Sequence, residues 1–246
     1  MNSSPFVVIL PNADRLVEEV ARQWLDLVAA SAQDGAPHTV ALSGGRSATK
    51  FFTSVVIQNR TRGVSFSNVH FFWADERCVP PTDPESNFKL ASEVLFGPLE
   101  ISASQIHRLK GEDAPETAAR EASTELVRIA PANAAGQPVL DLVFLGMGED
   151  GHIASLFPAA GAEVLNCTTP FLVIRNSPKP PPTRLSLSYA TLAAAKNIWT
   201  LVSGAGKEGA LHTTLTTGAT PLGKVMASNP NTKLFTDLNV AVDLPN

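Results

Sequence analysis

Residues 140–158 read LDLVFLGMGEDGHIASLFP, and the fold can be worked out from this stretch. Residues 140–145 form a short apolar run that is typical of a buried strand. The Gly146-Met147-Gly148 sequence that follows allows a sharp turn, because glycine accepts backbone angles that other residues resist. Ligands of open α/β sheets bind just beyond the carboxyl ends of strands. The stretch therefore predicts a buried strand that ends at a functional site.

Two polar residues, Asp150 and His152, come directly after this predicted strand. Histidine can take up or release a proton near neutral pH, and a nearby carboxylate can fix its tautomer. An isolated D-G-H motif is more often a helix-capping aspartate followed by a polar loop histidine. Three other motifs in the chain favour the functional interpretation of Asp150 and His152.

A glycine-rich turn follows another predicted strand, residues 39–42. The turn consists of Ser43, Gly44, Gly45 and Arg46, and a helix is predicted directly after it. Free backbone N–H groups and the positive end of a helix together bind anions. The spacing matches neither the dinucleotide fingerprint nor the P-loop, so NAD and ATP are not predicted. We expect a phosphate-binding turn, with an ordinary tight turn as the alternative.

Charged residues also follow the strand predicted at residues 69–73. Asp75, Glu76 and Arg77 come at the end of this apolar run, where a ligand site would lie. A solvated strand end with a local salt bridge is the alternative. We assign that alternative to Glu76 and predict that Asp75 and Arg77 belong to the site.

Two further cations lie where they could complete an anion site. Arg184 begins the segment RLSLSYATL, and Lys207 follows Gly204 and Gly206 at the start of a predicted helix. The helix dipole disfavours a cation at that position, and a bound anion would relieve the misfit. Lys207 therefore indicates a bound phosphate.

The order of predicted elements indicates the fold class. Apolar strands alternate with helices, which predicts an α/β fold with a doubly wound, mostly parallel, Rossmann-like sheet and helices on both faces. No repeat or linker divides the chain, so we expect a single domain over residues 1–246. The six predicted strands are residues 6–10, 39–42, 69–73, 140–145, 171–175 and 198–202, with an edge strand near residues 233–237.

Helices and loops are predicted from periodicity and from capping residues. Asn12 or Asp14 is expected to cap the first helix, whose apolar face includes Trp24 and Leu27. The proline-rich loop at residues 177–182 is either a spacer or a cover over the site. Further helices are expected at residues 86–96 and 115–129, and a small strand at residues 106–109.

Composition excludes several classes of protein. The chain has 246 residues, of which 44 % are hydrophobic, and a formal net charge of -4, so a large core is expected and general nucleic-acid binding is not. Cys78 and Cys167 make neither a disulfide framework nor a metal-binding array. No signal peptide or membrane span is predicted, so we expect a cytoplasmic protein, as a monomer or a weak homo-oligomer.

Together these residues indicate a class of reaction. A glycine-rich anion turn with up to three cations, on an acidic protein, suits a phosphate monoester better than a carboxylate. Asp150 and His152 supply acid–base capacity. There is no G-x-S-x-G motif and no metal-ligand cluster, so no metal or cofactor is predicted. The residues alone predict a proton-transfer or hydrolytic enzyme acting on a small phosphorylated metabolite.

The chain resembles the 6-phosphogluconolactonases and the glucosamine-6-phosphate deaminases that share their fold. The resemblance runs in order from about Thr39 to Lys207. The first motif departs from the family pattern, because Ser47-Ala48 stands where threonine-proline is frequent. The resembling segments are LSGGRS (42–47), FFWADERCVPPTDPESNF (71–88), LVFLGMGEDGHIASLFP (142–158), RLSLS (184–188) and GAGK (204–207).

The resemblance implies a hydrolase that opens 6-phospho-D-glucono-1,5-lactone. His152 would be the general base, Asp150 would orient it, and Asp75 would help position the sugar hydroxyls or the water. The residues expected to hold the substrate phosphate are Ser43, Gly44, Gly45, Arg46, Arg77, Arg184 and Lys207.

Three alternatives remain open. The deaminase pattern resembles DGHIAFNEP, with a glutamate in its proton relay where this chain has Phe157. Phenylalanine cannot transfer protons, which favours the lactonase. A sugar-phosphate-binding regulatory module without catalysis is the second alternative, although no DNA-binding segment or basic tail is found. A structural or interaction protein is the third, and no extended apolar or charged surface pattern supports it.

Overall fold

A computed structural model describes residues 6–239, which form two sheets and eight α-helices. The larger sheet has six strands in the order β1-β9-β8-β5-β2-β3, and every neighbouring pair in it is parallel. The α/β class and the mostly parallel sheet are therefore confirmed. The nine strands are β1 (Phe6–Ile9), β2 (His38–Leu42), β3 (Val69–Trp73), β4 (Asp75–Arg77), β5 (Leu142–Gly146), β6 (Phe171–Ile174), β7 (Arg184–Leu187), β8 (Ile198–Val202) and β9 (Thr232–Thr236).

The smaller sheet is antiparallel, with the order β4-β7-β6. The fifth predicted strand, residues 171–175, was expected in the parallel sheet and instead belongs here as β6. An apolar run such as FLVI shows that a strand is buried but carries no information about which sheet it joins. Asp75 and Arg77 were expected at the end of the strand at residues 69–73, and they form a separate short strand, β4, paired with β7.

Two of the predicted helix starts are confirmed, whereas α2, expected to begin near Ala48, begins at Arg46. The side chain of Asn12 accepts a hydrogen bond from Arg15 N at the start of α1, and Ser86 caps α3 in the same way. The predicted helix 86–96 is α3 followed by a π-helical turn, Ser92–Phe96. The helices are α1 (Ala13–Asp34), α2 (Arg46–Arg62), α3 (Asn87–Ala91), α4 (Pro115–Ile129), α5 (Ala162–Leu165), α6 (Tyr189–Ala194), α7 (Glu208–Thr217) and α8 (Pro221–Ser228).

Aromatic side chains join α1 to the large sheet. Trp24 is fully buried, and its ring lies edge-on to Phe144 of β5 at 5.1 Å and to Phe71 of β3 at 6.5 Å. Leu27 was expected on the same apolar face but is 37 % exposed. The strand expected at residues 106–109 is reduced to a single bridge between Ile106 and Phe71.

The order of strands positions the functional residues. From β2 the chain passes outward to β3, whereas from β5 it passes to β8 and β9 on the other side. The boundary between β2 and β5 is therefore the switch point at which ligands of such sheets bind. The segments that follow β2, β5 and β8 all reach this edge. Among residues 6–239, no helix is long and apolar enough to cross a membrane.

Candidate active site

A cavity of about 740 Å³ lies at the carboxyl ends of the strands. Asp150 does not line this cavity but contacts the ring of His152, which does. A second groove, of about 820 Å³ between α1 and α2, contains none of the predicted site residues. The predicted residues that line the cavity are Ser43, Gly44, Gly45, Arg46, Asp75, Arg77, His152, Arg184 and Lys207.

His152 and Asp150 share one tight turn after β5. Nδ1 of His152 lies 2.5 Å from Oδ1 of Asp150, and the turn is closed by a hydrogen bond from Gly148 N to His152 O at 2.8 Å. A Cβ at Gly148 would lie 2.1 Å from the imidazole ring, so only glycine leaves room for it. Gly151 has a φ of +83°, which also favours glycine. The glycines of this motif therefore bring the carboxylate and the imidazole together.

The surroundings keep this pair in a defined protonation state. Burial lowers the pKa of His152, although the hydrogen bond and charge of Asp150 oppose this effect. Burial also disfavours ionised Asp150, yet its contact with His152 holds the pKa of the carboxyl below its ordinary value. The carboxylate thus accepts the Nδ1 hydrogen and leaves the Nε2 lone pair free. Nε2 has no hydrogen-bond partner among residues 6–239.

The turn between β2 and α2 leaves helical N–H groups available. Gly45 has φ +94° and ψ -178°, a conformation that glycine alone adopts readily, and no side chain caps α2. A Cβ at Gly44 would lie 1.8 Å from Oδ1 of Asn87. The hydroxyl of Ser43 donates to Phe144 O at 2.8 Å and ties the turn to β5. An uncapped helix start of this kind can bind a phosphate.

Asp75 is buried and held by two polar side chains. Ser155 Oγ donates to its Oδ2 at 2.7 Å, and Asn87 Nδ2 donates to its backbone oxygen at 2.9 Å and to Oδ1 at 3.3 Å. Asn87 thus lies between Asp75 and the Gly44 turn. Sequence reasoning missed Asn87 and Ser155, because their roles depend on contacts between distant segments.

Arg77 and Arg184 point to the same face of the small sheet. They are directly paired across β4 and β7, as are Asp75 and Ser186. Arg77 forms an ion pair with Glu85 at 3.5 Å, and its Nε is buried with no partner among the described residues. Arg184 is only 4 % exposed and forms no ion pair within residues 6–239. A buried arginine without an ion-pair partner, directly beside a second arginine, indicates a site for an anion.

Arg184 also fixes the proline-rich loop. Its Nε donates to Pro181 O at 3.1 Å, and its Nη2 donates to Lys179 O at 3.0 Å and to Pro180 O at 2.9 Å. Lys179 and Pro180 consequently line the cavity. The loop is part of the site wall rather than a spacer, and Lys179 is a cation that the sequence motifs did not single out.

Lys207 lies on the other side of the cavity, at the start of α7. It is the N-cap residue of that helix and makes no ion pair among the described residues. Burial lowers the pKa of Lys207, and the neighbouring charge of Arg46 adds to the effect. An anion bound between Arg46, Lys207 and the N-terminus of α2 would stabilise both positive charges.

Glu76 was expected at a solvated strand end, and this expectation is wrong. Its side chain is buried and accepts hydrogen bonds from the backbone N–H groups of Arg77, Asn87 and Phe88 at 2.8 Å, and from Ser86 Oγ at 3.1 Å. Burial raises the pKa of Glu76, while these backbone donors oppose the shift. Because successive strand residues alternate between faces, Glu76 faces away from Asp75 and Arg77. Its side chain instead holds the start of α3.

The parallel α/β fold and the histidine–carboxylate pair beside a cation-lined cavity define a candidate anion-binding site with acid–base capacity. The family model for glucosamine-6-phosphate isomerases and 6-phosphogluconolactonases matches residues 11–234. The chain belongs to this family.

Named relatives are similar over most of the chain. A probable chloroplastic 6-phosphogluconolactonase of Oryza sativa is 38 % identical over 213 residues. The aligned residues make up 84 % of this chain and 64 % of the rice protein, so this chain spans less than two thirds of that protein's length. The 6-phosphogluconolactonase of Mycobacterium tuberculosis is 32 % identical over 252 residues, and the alignment covers the full length of both proteins. The solved structure of the 6-phosphogluconolactonase from Trypanosoma brucei is 26 % identical, with a TM-score of 0.81, and the match covers 95 % of this chain and 96 % of that one.

Proposed function

We propose that this chain hydrolyses 6-phospho-D-glucono-1,5-lactone to 6-phospho-D-gluconate. The observation that carries the proposal is the Asp150–His152 contact of 2.5 Å beside a cavity that is also lined by Arg46, Arg184 and Lys207, which form no ion pair among residues 6–239. The names of the relatives from Oryza sativa and Mycobacterium tuberculosis support the same reaction.

His152 acts as the general base in the proposed mechanism. Its Nε2 takes a proton from water while the water oxygen bonds to C1 of the lactone, and the carbonyl electron pair moves onto the carbonyl oxygen. When this tetrahedral intermediate collapses, the bond from C1 to the ring oxygen breaks and Nε2 returns the proton to that oxygen. Asp150 stabilises the imidazolium between the two steps. Water and histidine supply all the groups that this reaction needs.

The remaining site residues bind and orient the substrate. The α2 N-terminus, Arg46 and Lys207 form one group around the cavity, and the paired Arg77 and Arg184 form another. Together they hold the phosphate, so that binding energy far from C1 positions the reacting carbonyl. Asp75, fixed by Ser155 and Asn87, is placed to accept hydrogen bonds from sugar hydroxyls.

Phe157 separates the proposed reaction from the isomerase reaction named in the family description. The Phe157 ring lies 4.7 Å from the imidazole of His152, at 35° to it, and is largely buried. A phenyl ring offers no group that could exchange protons with a sugar carbon. The lactonase is therefore favoured over an aldose–ketose isomerase at this site.

A coupled assay tests the proposal. Glucose 6-phosphate and its dehydrogenase generate the lactone in place, and formation of 6-phosphogluconate is measured with and without the protein at mildly acidic to neutral pH, where spontaneous hydrolysis is slow. We expect an acceleration that is lost in His152→Ala. Binding of 6-phosphogluconate without any acceleration would instead indicate a regulatory module, and ammonia release from glucosamine 6-phosphate would indicate the deaminase.

A further inference from the structure

Lys179 is a lysine of the cavity wall that the proposed mechanism does not yet use. It lies in the proline-rich loop, lines the cavity and forms no ion pair or side-chain hydrogen bond with any residue from 6 to 239. Its backbone, in contrast, is firmly held, because Lys179 O accepts from both Arg184 Nη2 and Ser177 Oγ, at 3.0 and 2.8 Å. The loop thus presents a free ammonium group on a fixed backbone.

Lys179 and His152 line the same cavity, so the ammonium group can act on the reacting pair. Burial is the main reason that the pKa of His152 is lowered, and Lys179 is the cation that adds to this lowering. The contact with His152 chiefly lowers the pKa of Asp150, with Lys179 adding to it. Burial lowers the pKa of Arg184, Asp75 opposes this lowering and Arg77 adds to it, whereas neither arginine is among the charges that shift the pKa of His152. The charge of Lys179 is therefore felt at the base, and it is also felt at Lys207 on the other side of the cavity.

The proposed reaction creates a negative charge on the oxygen bonded to C1. When water adds to C1, the carbonyl oxygen becomes an oxyanion, and donors or cations that are already in position stabilise it. The proposed phosphate-binding cations hold the phosphate on C6, which lies outside the lactone ring that contains C1. His152 and Asp150 cannot serve, because one carries the transferred proton and the other is negative.

We propose that the ammonium group of Lys179 stabilises the oxyanion formed at C1 of the lactone. This inference rests on the proposed hydrolytic function. Arg184 contributes indirectly, as a positioning residue, since its hydrogen bonds to the carbonyls of residues 179, 180 and 181 hold the loop over the cavity.

Lys179→Met tests the proposal, with Lys179→Arg as the conservative variant. Removing one oxyanion donor lowers kcat by roughly 10²–10³ in enclosed sites, and we expect about 10- to 100-fold here because Lys179 is only partly buried. KM and the inhibition constant of inorganic phosphate should stay within about threefold, and Lys179→Arg should restore part of kcat. Since no side-chain bond is lost, the variant should fold normally.

A pH profile gives a readout that a purely structural role would not move. Removing the positive charge near His152 should shift the acidic limb of kcat to higher pH in Lys179→Met, and Lys179→Arg should restore it. Lys224→Met is the matched control, because Lys224 is exposed on α8 and forms no ion pair within residues 6–239.

Three results would overturn the proposal. Unchanged kcat in Lys179→Met excludes a role at C1. A large rise in KM and in the inhibition constant of phosphate, with kcat retained, would make Lys179 a phosphate-binding residue instead. If the wild-type protein does not accelerate lactone hydrolysis, the proposed function itself fails and the role of Lys179 fails with it. The wild-type rate therefore separates the two kinds of failure.

Discussion

Arg77 and Arg184 lie directly opposite each other in the antiparallel pair of β4 and β7, with their side chains on one face. Like charges in this arrangement repel, and of the two only Arg77 has an ion-pair partner among the described residues, Glu85, at 3.5 Å. The protein keeps both arginines at the wall of its cavity. We therefore expect the two arginines to bind an anionic group of the ligand.

Arg77→Gln should weaken substrate binding without weakening the fold. A hydrogen bond to a charged group is worth about 1.5–3 kcal/mol, so KM for the lactone should rise roughly 10- to 100-fold. The free energy of unfolding without ligand should change by less than about 0.5 kcal/mol, because relief of repulsion offsets the lost contact with Glu85. Steady-state kinetics and urea unfolding measure the two quantities. Arg60→Gln, at an exposed position of α2, is the control, and an unchanged KM in Arg77→Gln would remove Arg77 from the site.

His152→Ala should lower kcat by roughly 10²–10⁴. The lactone is already activated, so some turnover should remain from binding alone. His212→Ala is the matched control, because His212 is an exposed histidine on α7 outside the cavity, and its kcat should equal that of the wild type. A kcat within about threefold of wild type in His152→Ala would mean that another group is the base.

The pH dependence of kcat should follow His152. Only the unprotonated imidazole can accept a proton, so kcat falls as the pH drops through the pKa of His152. Burial lowers that pKa from its ordinary 6.5, so the acidic limb should lie below pH 6.5. Asp150 opposes this lowering, so Asp150→Asn should move the limb to still lower pH and also reduce the plateau. Rates measured between about pH 5 and 8 decide this, and a limb that moves to higher pH would contradict it.

Gly44→Ala should disturb both the phosphate-binding turn and Asp75. The new Cβ would lie 1.8 Å from Oδ1 of Asn87, which itself donates to Asp75, so the turn or Asn87 must move. We expect a loss of about 1–3 kcal/mol in the free energy of unfolding and a higher KM. Gly209→Ala is the control, because it lies in helix α7 with open space around it and should be neutral or stabilising by up to about 1 kcal/mol. Equal unfolding midpoints for the two variants would contradict the contact.

Glu76→Gln should destabilise the protein although it removes only a buried charge. The amide NH₂ group would face a backbone or hydroxyl donor where the carboxylate now accepts, leaving at least one buried donor without a partner. We expect a loss of about 1–3 kcal/mol in urea unfolding. The exposed Glu93→Gln, on the following π-helical turn, should change stability by less than about 0.5 kcal/mol. An unchanged free energy of unfolding in Glu76→Gln would instead support the solvated position that the sequence predicted for Glu76.

Local patterns predicted those features that local residues determine. The apolar runs that end in glycine and polar residues correctly placed the ends of β2, β5 and β8, because buried parallel strands have this composition in any fold of the class. The cap at Asn12 was equally local. The cavity-lining positions of Ser43, His152 and Lys207 follow from these strand ends, which meet at one edge. Asp75, Arg77 and Arg184 reach the cavity from the small sheet, which the sequence did not predict.

Features that depend on distant contacts were missed. The segment at β6 looks like any buried strand, and only its pairing with β7 places it in the small sheet. Glu76 has the same local surroundings as Asp75, and only alternation along β4 separates the buried helix-holding residue from the site residue. Lys179 lies in a loop whose path is set by Arg184, a relationship that no spacing in the sequence reveals.

The turn that joins Asp150 to His152 is closed by its own backbone, whereas the substrate-binding groups come from segments far apart in the chain. Mild heating or low concentrations of urea should therefore separate two properties of the enzyme. Affinity for the sugar phosphate depends on the mutual placement of several strand ends and should decline first. The contact between Asp150 and His152 depends on five consecutive residues and should persist until the sheet itself unfolds.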